Sequence, residues 1–251
     1  EVALVLEALL SRLGPRASPP SDWAASDLAL VRSRALAAQA ADAVEPRVRG
    51  VTPETPEAFF AALRRALPRD ACLVVDSGLH QMLARRYFRA FGPRGLLVPT
   101  NLQAMGFAIP AAIGARTADR EGPVVALVGD GGLIMSGTEI LTAVREDLCL
   151  PIIVFNDGHF GLIRREQICE YGHAFGTELT TPDIASFAAA VGADYSELEG
   201  DAEGVLRRAV SGRGVHIVEV HVGDHPQVRR IQAKAVLRSG LRRLRRRWLF
   251  G

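Results

Sequence analysis

Residues 124–161, VVALVGDGGLIMSGTEILTAVREDLCLPIIVFNDGHFG, constrain the fold more than any other stretch of this chain. An apolar run, Val124 to Val128, predicts a buried strand that stops abruptly at Gly129-Asp130-Gly131-Gly132. A helical spacing follows from Ser136 to Asp147, with Ile140, Leu141, Val144 and Leu148 on one face. A second apolar run, Ile152 to Phe155, ends in Asn156-Asp157-Gly158. Strand, helix and strand in this order make a right-handed crossover, so the two strands are parallel and, if neighbours, end on one edge of the sheet. Asp130 and Asp157 could then meet around one hard cation, while the glycines let backbone approach phosphate oxygens.

The flanking chain continues the alternation. The pattern predicts helices over Pro56–Leu67, Leu79–Phe88, Thr181–Val191 (Thr181 as N-cap, Pro182 in the first turn) and Asp201–Ser211. It predicts strands over Ala71–Val75, Gly95–Pro99 and Val215–Val220, and a helix over Gly106–Thr117 interrupted by Pro110. The fold class is therefore α/β, a parallel sheet flanked by helices on both faces. Ahead of it, residues 1–14 and 23–44 have helical patterns joined by a Pro-rich linker.

Three motifs in order carry a resemblance. They are Asp76 to Gln81 (DSGLHQ), Asn101 to Ala115 (NLQAMGFAIPAAIGA), and the GDG word followed by Asn156-Asp157, with Asp157 standing 27 positions after Asp130. Together they resemble the diphosphate-binding, C-terminal part of thiamine diphosphate-dependent decarboxylases and carboligases, acetolactate synthases in particular. The resemblance is good from Glu54 to about Asp224. It implies three parts: residues 1–50 as the end of a middle domain and its linker, residues 51–226 as the thiamine diphosphate- and magnesium-binding domain, and residues 227–251 as a tail outside the family pattern.

The same resemblance assigns roles by position. Asp130, Asp157 and the backbone carbonyl of His159 would hold Mg²⁺. Gly129, Gly131, Gly132 and Leu133 would cradle the diphosphate at a helix start, with Ser77, Gly78 and His80 as a second phosphate-contacting turn and Phe160 in the same pocket. Met105 would wedge between the two cofactor rings, and the Gln103 carbonyl would accept from the cofactor's amine. Asp157 stands where the family more often has Asn, and Glu166 where the biosynthetic synthases carry Trp. The implied activity is decarboxylation or carboligation of 2-oxo acids. The family's activating glutamate sits on a pyrimidine-binding domain, and Glu139, Glu146 and Glu166 lie in the wrong motifs to replace it. A partner domain or subunit, and a homo- or hetero-oligomer, are thus implied. The alternative is a non-catalytic cofactor-binding or regulatory subunit. An ordinary nucleotide-binding domain would show G-x-G-x-x-G after its first strand or a Walker lysine, and the chain has neither.

Charge is unevenly spread. Nine of the 30 Lys and Arg residues follow Asp224, where there is no acid, so the rest of the chain is net acidic by about seven. In that tail Leu237, Leu241, Leu244 and Trp248 share one helical face. Docking on the acidic body or on a partner subunit is favoured over a disordered, solvated tail and over contact with nucleic acid or an anionic membrane. Cys72, Cys149 and Cys169 lack metal-ligand spacing and read as reduced thiols of a cytoplasmic protein.

Overall fold

The computed structural model describes residues 47–118 and 122–223, together with helical backbone at Ser26, Ala29, Leu30 and Ser33. The basic tail and most of the first 46 residues lie outside the described residues. In chain order the elements are β1 (Arg47–Val48), α1 (Pro56–Ala66), β2 (Cys72–Val75), α2 (Leu79–Tyr87), β3 (Leu96–Leu97), α3 (Ala108–Ala118), β4 (Val124–Gly129) and α4 (Asp130–Ser136). A 3₁₀ turn over Gly137–Glu139 leads to α5 (Ile140–Arg145), β5 (Leu150–Asn156), α6 (Gly161–Tyr171), α7 (Ile184–Val191), β6 (Asp194–Glu197), α8 (Ala202–Ser211) and β7 (Val215–Gly223).

Seven strands form one sheet in the order β1-β7-β5-β4-β2-β3, with β6 paired to β7. All pairs are parallel except β1 with β7. Central β4 and β5 are buried on both sides, which is why they read as continuous apolar runs instead of alternating ones. Alternation still decides which layer each residue meets. Val125, Leu127, Ile153 and Phe155 pack with α1, α2 and α8, around Phe59, Phe60 and Leu63. Val124, Ala126, Val128, Ile152 and Val154 pack with α3, α4, α5 and α7.

Local chemistry sets the helix starts. Thr55 caps α1, its hydroxyl accepting from Ala58 N–H at 3.2 Å, with Pro56 behind it. Asp201 caps α8 through Gly204 N–H at 2.9 Å. Pro110 does not interrupt α3: it sits in the first turn, where no intrahelical N–H is needed.

Three further expectations change. Helix formation begins at Asp130, not Ser136, and the segment is broken at Gly137, where an added Cβ would lie 2.7 Å from the Phe187 ring. Of the four apolar residues assigned to one face there, Ile140 and Leu148 are buried, while Leu141 and Val144 face solvent. The start of the helix expected from Thr181 also moves: Asp183, not Thr181, caps α7, accepting from Ser186 N–H at 2.6 Å.

Candidate active site

β4 and β5 are adjacent and parallel, with Gly129 opposite Phe155, so the chain turns beyond each reach the same sheet edge. There they open on a cleft of about 310 Å³. The cleft draws together Ser77, Gly78, His80, Gln103, Met105, Gly129, Asp130, Gly131, Gly132, Asp157, His159 and Phe160. Every residue expected at the site is there except Leu133, whose side chain is buried in the core beneath α4.

Asp130 is buried, and its carboxylate accepts from Gly131 N–H at 2.8 Å, Gly158 N–H at 2.8 Å and the Thr181 hydroxyl at 3.3 Å. One side chain thus ties the end of β4 to the turn after β5. Thr181, displaced from its expected capping place, serves the site instead. The Gly131 N–H expected to face a phosphate is occupied by Asp130 itself. Burial pushes the Asp130 pKa up against these hydrogen bonds.

Asp157 is half-buried and accepts from His159 N–H at 3.0 Å. Its backbone carbonyl lies 2.5 Å from His159 Nδ1. Its carboxylate also abuts Gly161, where an added Cβ would come 2.2 Å from Oδ2. Burial, and then the charge of Asp130, push its pKa up to about 6. Two half-desolvated carboxylates in one cleft, the charge of one raising the pKa of the other, are a ready pair for a divalent cation. Among the described residues no group of three or more His, Cys, Asp or Glu side chains gathers as a metal site, so such a cation would need further oxygens from backbone, ligand and water. The short bridge between His159 and Glu178 uses the Gly158 carbonyl and the Phe160 N–H, leaving the His159 carbonyl out of its hydrogen bonds.

His80 supplies a different signal. It is buried in the cleft wall, its Nε2 has no hydrogen-bond partner, and its ring stands over Gly129. Burial drives its pKa down to about 4, with a hydrogen bond to the Asp76 carbonyl working the other way. Buried polar atoms are normally satisfied, so an orphan nitrogen in a cavity wall marks a place for a polar ligand atom.

The Met105 side chain overhangs the start of α4: a Cβ on Gly131 would lie 3.1 Å from both Met105 Cε and the Phe160 ring. Gln103 has φ of +51°, a left-handed conformation uncommon outside glycine, at the residue whose carbonyl was expected to accept from a ligand. Two further groups belong to the site. Asp76, quoted in the DSGLHQ word but given no role, is fully buried beneath it. Glu166 lines the cleft from α6, whereas Glu139 and Glu146 are exposed and lie outside its lining. Behind the cleft, buried Glu219 accepts from Asn156 Nδ2 at 2.7 Å and from the Tyr195 hydroxyl at 2.7 Å, holding the residue before Asp157.

With this geometry in view, comparison with known proteins is decisive. The profile of the thiamine pyrophosphate enzyme family, C-terminal TPP binding domain, matches residues 76–220. The chain belongs to that family. An acetolactate synthase of Bacillus subtilis (strain 168) is 32% identical over 162 residues, covering 64% of this chain and 28% of that protein. One of Mycobacterium leprae (strain TN) is 33% identical over 184 residues, covering 69% and 29%. A sulfoacetaldehyde acetyltransferase of Alcaligenes xylosoxydans xylosoxydans is 32% identical over 140 residues, covering 55% and 23%. The fold matches an X-ray structure from Mycobacterium smegmatis, provisionally described as a thiamin diphosphate-dependent enzyme, with TM-score 0.57, 24% identity, and coverage of 69% of this chain and 32% of that one. This chain thus spans less than a third of the relatives it matches. It is similar to the thiamine pyrophosphate-binding part of larger enzymes.

Proposed function

We propose that this chain provides the diphosphate- and magnesium-binding half of an active site that decarboxylates 2-oxo acids and joins or releases the product, in the manner of acetolactate synthase. The observation that carries the reading is the meeting of Asp130 and Asp157 at the ends of neighbouring parallel strands, in a cleft whose wall holds the unpartnered Nε2 of His80. The residues fit the cofactor. Asp130 and Asp157 offer oxygens to Mg²⁺, and Gly158, with no atom within 4 Å of an added Cβ, leaves the turn open to ligand oxygens.

When bound, thiamine diphosphate supplies the nucleophilic carbon and the electron sink. The chain's own residues bind and orient. Neutral His80 presents a bare Nε2 if its other nitrogen donates to the Asp76 carbonyl, so contact with a phosphate oxygen goes with proton uptake at His80. Met105 and the left-handed Gln103 shape the mouth of the cleft above Gly131, where ring geometry would be set. Asp130 and Asp157 would hold Mg²⁺, whose charge would offset the burial and the Asp130 charge that raise the Asp157 pKa.

A second domain or subunit would complete the site. Ile134 and Met135 expose apolar surface on α4, whose first residues line the cleft, Leu141 and Val144 do so on α5, and Leu102, next to the cleft residue Gln103, is 92% exposed. We assign this surface to that partner, since an uncovered apolar face next to a half-built site suits a buried interface.

The test is thermal melting of the complete assembly with Mg²⁺ and thiamine diphosphate. A ligand restricted to the native state stabilises it by about 2.7 kcal/mol at a hundredfold excess over its dissociation constant. The parent should gain protection and then turn over pyruvate, and Asp130→Ala should lose both. Cofactor binding without turnover in the complete assembly would point to the regulatory alternative.

A further inference from the structure

Asp76 is 0% exposed, and its carboxylate collects backbone N–H groups from two separate turns. Oδ1 accepts from Ser77 at 2.9 Å and Phe107 at 2.9 Å, and Oδ2 accepts from Gly106 at 2.9 Å. A third segment presses on it: a Cβ at Gly132 would lie 2.1 Å from Oδ2, so any side chain there would displace the carboxylate. Ser77 belongs to the turn beside His80. Gly106, with φ of +77°, immediately follows Met105 and lies three residues past the left-handed Gln103. Gly132 lies in the first turn of α4.

From this convergence we propose that Asp76 is a positioning residue, which fixes the Gln103–Phe107 turn, and so Met105 and the Gln103 carbonyl, relative to the diphosphate-binding turns. It acts on how the cofactor rings are held, not on how tightly the diphosphate is gripped. The inference rests on the proposed function for its catalytic consequence and on the hydrogen bonds alone for its structural one. The strand does not depend on the carboxylate, because the Asp76 backbone N–H pairs with the Leu127 carbonyl at 2.9 Å whatever the side chain. The side chain's donors come from the turn after β2 and from the turn that leads into α3, whose first residue, Ala108, also acts on the carboxylate. A buried carboxylate serving three N–H groups of functional turns, and none of the sheet, is placed to set geometry. Such positioning matters because small displacements of a reacting group lower turnover steeply while leaving remote binding contacts intact.

Asp76→Asn in the complete assembly tests this, since it places an amide donor against N–H groups that need acceptors. Hydrogen exchange should quicken at least tenfold at Gly106 and Phe107 and stay unchanged along 124–129. Affinity for thiamine diphosphate with Mg²⁺, read from melting, should move by no more than about threefold while kcat falls at least tenfold. Faster exchange in the turn with kcat unchanged, or faster exchange in β4 as well, overturns the proposal. Loss of affinity equal to the loss of kcat does so too. If Asp76→Asn does not fold, Asp76→Ser, which adds no opposing amide, carries the same readouts. Should the parent assembly show no cofactor protection, the proposed function fails, and exchange in the cofactor-free protein still decides whether Asp76 holds the turn.

Discussion

The ends of β2 and β5 both lead into an aspartate, and the two are used in opposite ways. Asp76, after β2, is sealed from solvent and surrounded by three backbone donors. Asp157, after β5, accepts one backbone N–H, and burial and then the charge of the Asp130 carboxylate it faces raise its pKa to about 6. The first is a finished joint within the protein. The second is a charge with too few partners, which gains them only when something positive arrives. Residue type and position at a strand end are the same; burial, the count of donors and the presence of a second carboxylate separate structure from ligand chemistry.

The largest expected effect breaks the second kind of site. Asp130→Ala removes a carboxylate that both ties Gly158 and faces Asp157 across the cleft, and it should lower Mg²⁺-dependent cofactor affinity at least a hundredfold in a melting titration, with little change in the cofactor-free fold. Next, pH should expose the contrast. Because the folded pKa of Asp157 is raised above its unfolded value of 3.8, its ionisation in the unliganded protein costs stability as pH climbs from about 4 to 6. A cation needs that ionised form, so Mg²⁺ affinity should drop by about tenfold per pH unit below 6. Asp157→Asn should flatten that part of the profile, and calorimetric titration at several pH values checks it. A smaller effect, about tenfold in cofactor affinity, is expected of His80→Ala, since hydrogen bonds to charged groups contribute about 1.5–3 kcal/mol. Smallest for the isolated chain should be Met135→Glu with Leu141→Glu. Exposed substitutions usually change stability by less than about 0.5 kcal/mol, so melting should hold while assembly with the partner, followed by sedimentation, is lost.

Much of this was legible in the sequence because the signals were local. Continuous apolar runs located β4 and β5, and the acidic, glycine-rich words after them located the cleft. What escaped reading depended on contacts far along the chain. β6, the polar segment Asp194–Glu197, is a strand because it pairs with β7 and because Tyr195 reaches Glu219, not because its residues alternate in polarity. In α6, Leu162, Ile163 and Ile168 are scattered among charges, and only Ile168 is buried, so no apolar face announces the helix. Thr181 sits before a proline and looks like a cap, yet its hydroxyl serves Asp130, 51 positions away. Asp76 was visible as a letter in a motif, but its three donors belong to backbone that no side-chain pattern reports.

The two aspartate clasps also say something about when the cleft comes into being. Asp76 reaches a backbone donor 30 positions ahead and Asp130 one 28 positions ahead. Closing a loop of that length costs about 3 kcal/mol in chain entropy, more than one such bond returns. Each clasp can close only after pairing of β2, β4 and β5 has already brought its ends together. The sheet should therefore assemble first and the cleft last, and on gentle destabilisation the order should reverse, with the clasps releasing while the strands behind them remain paired.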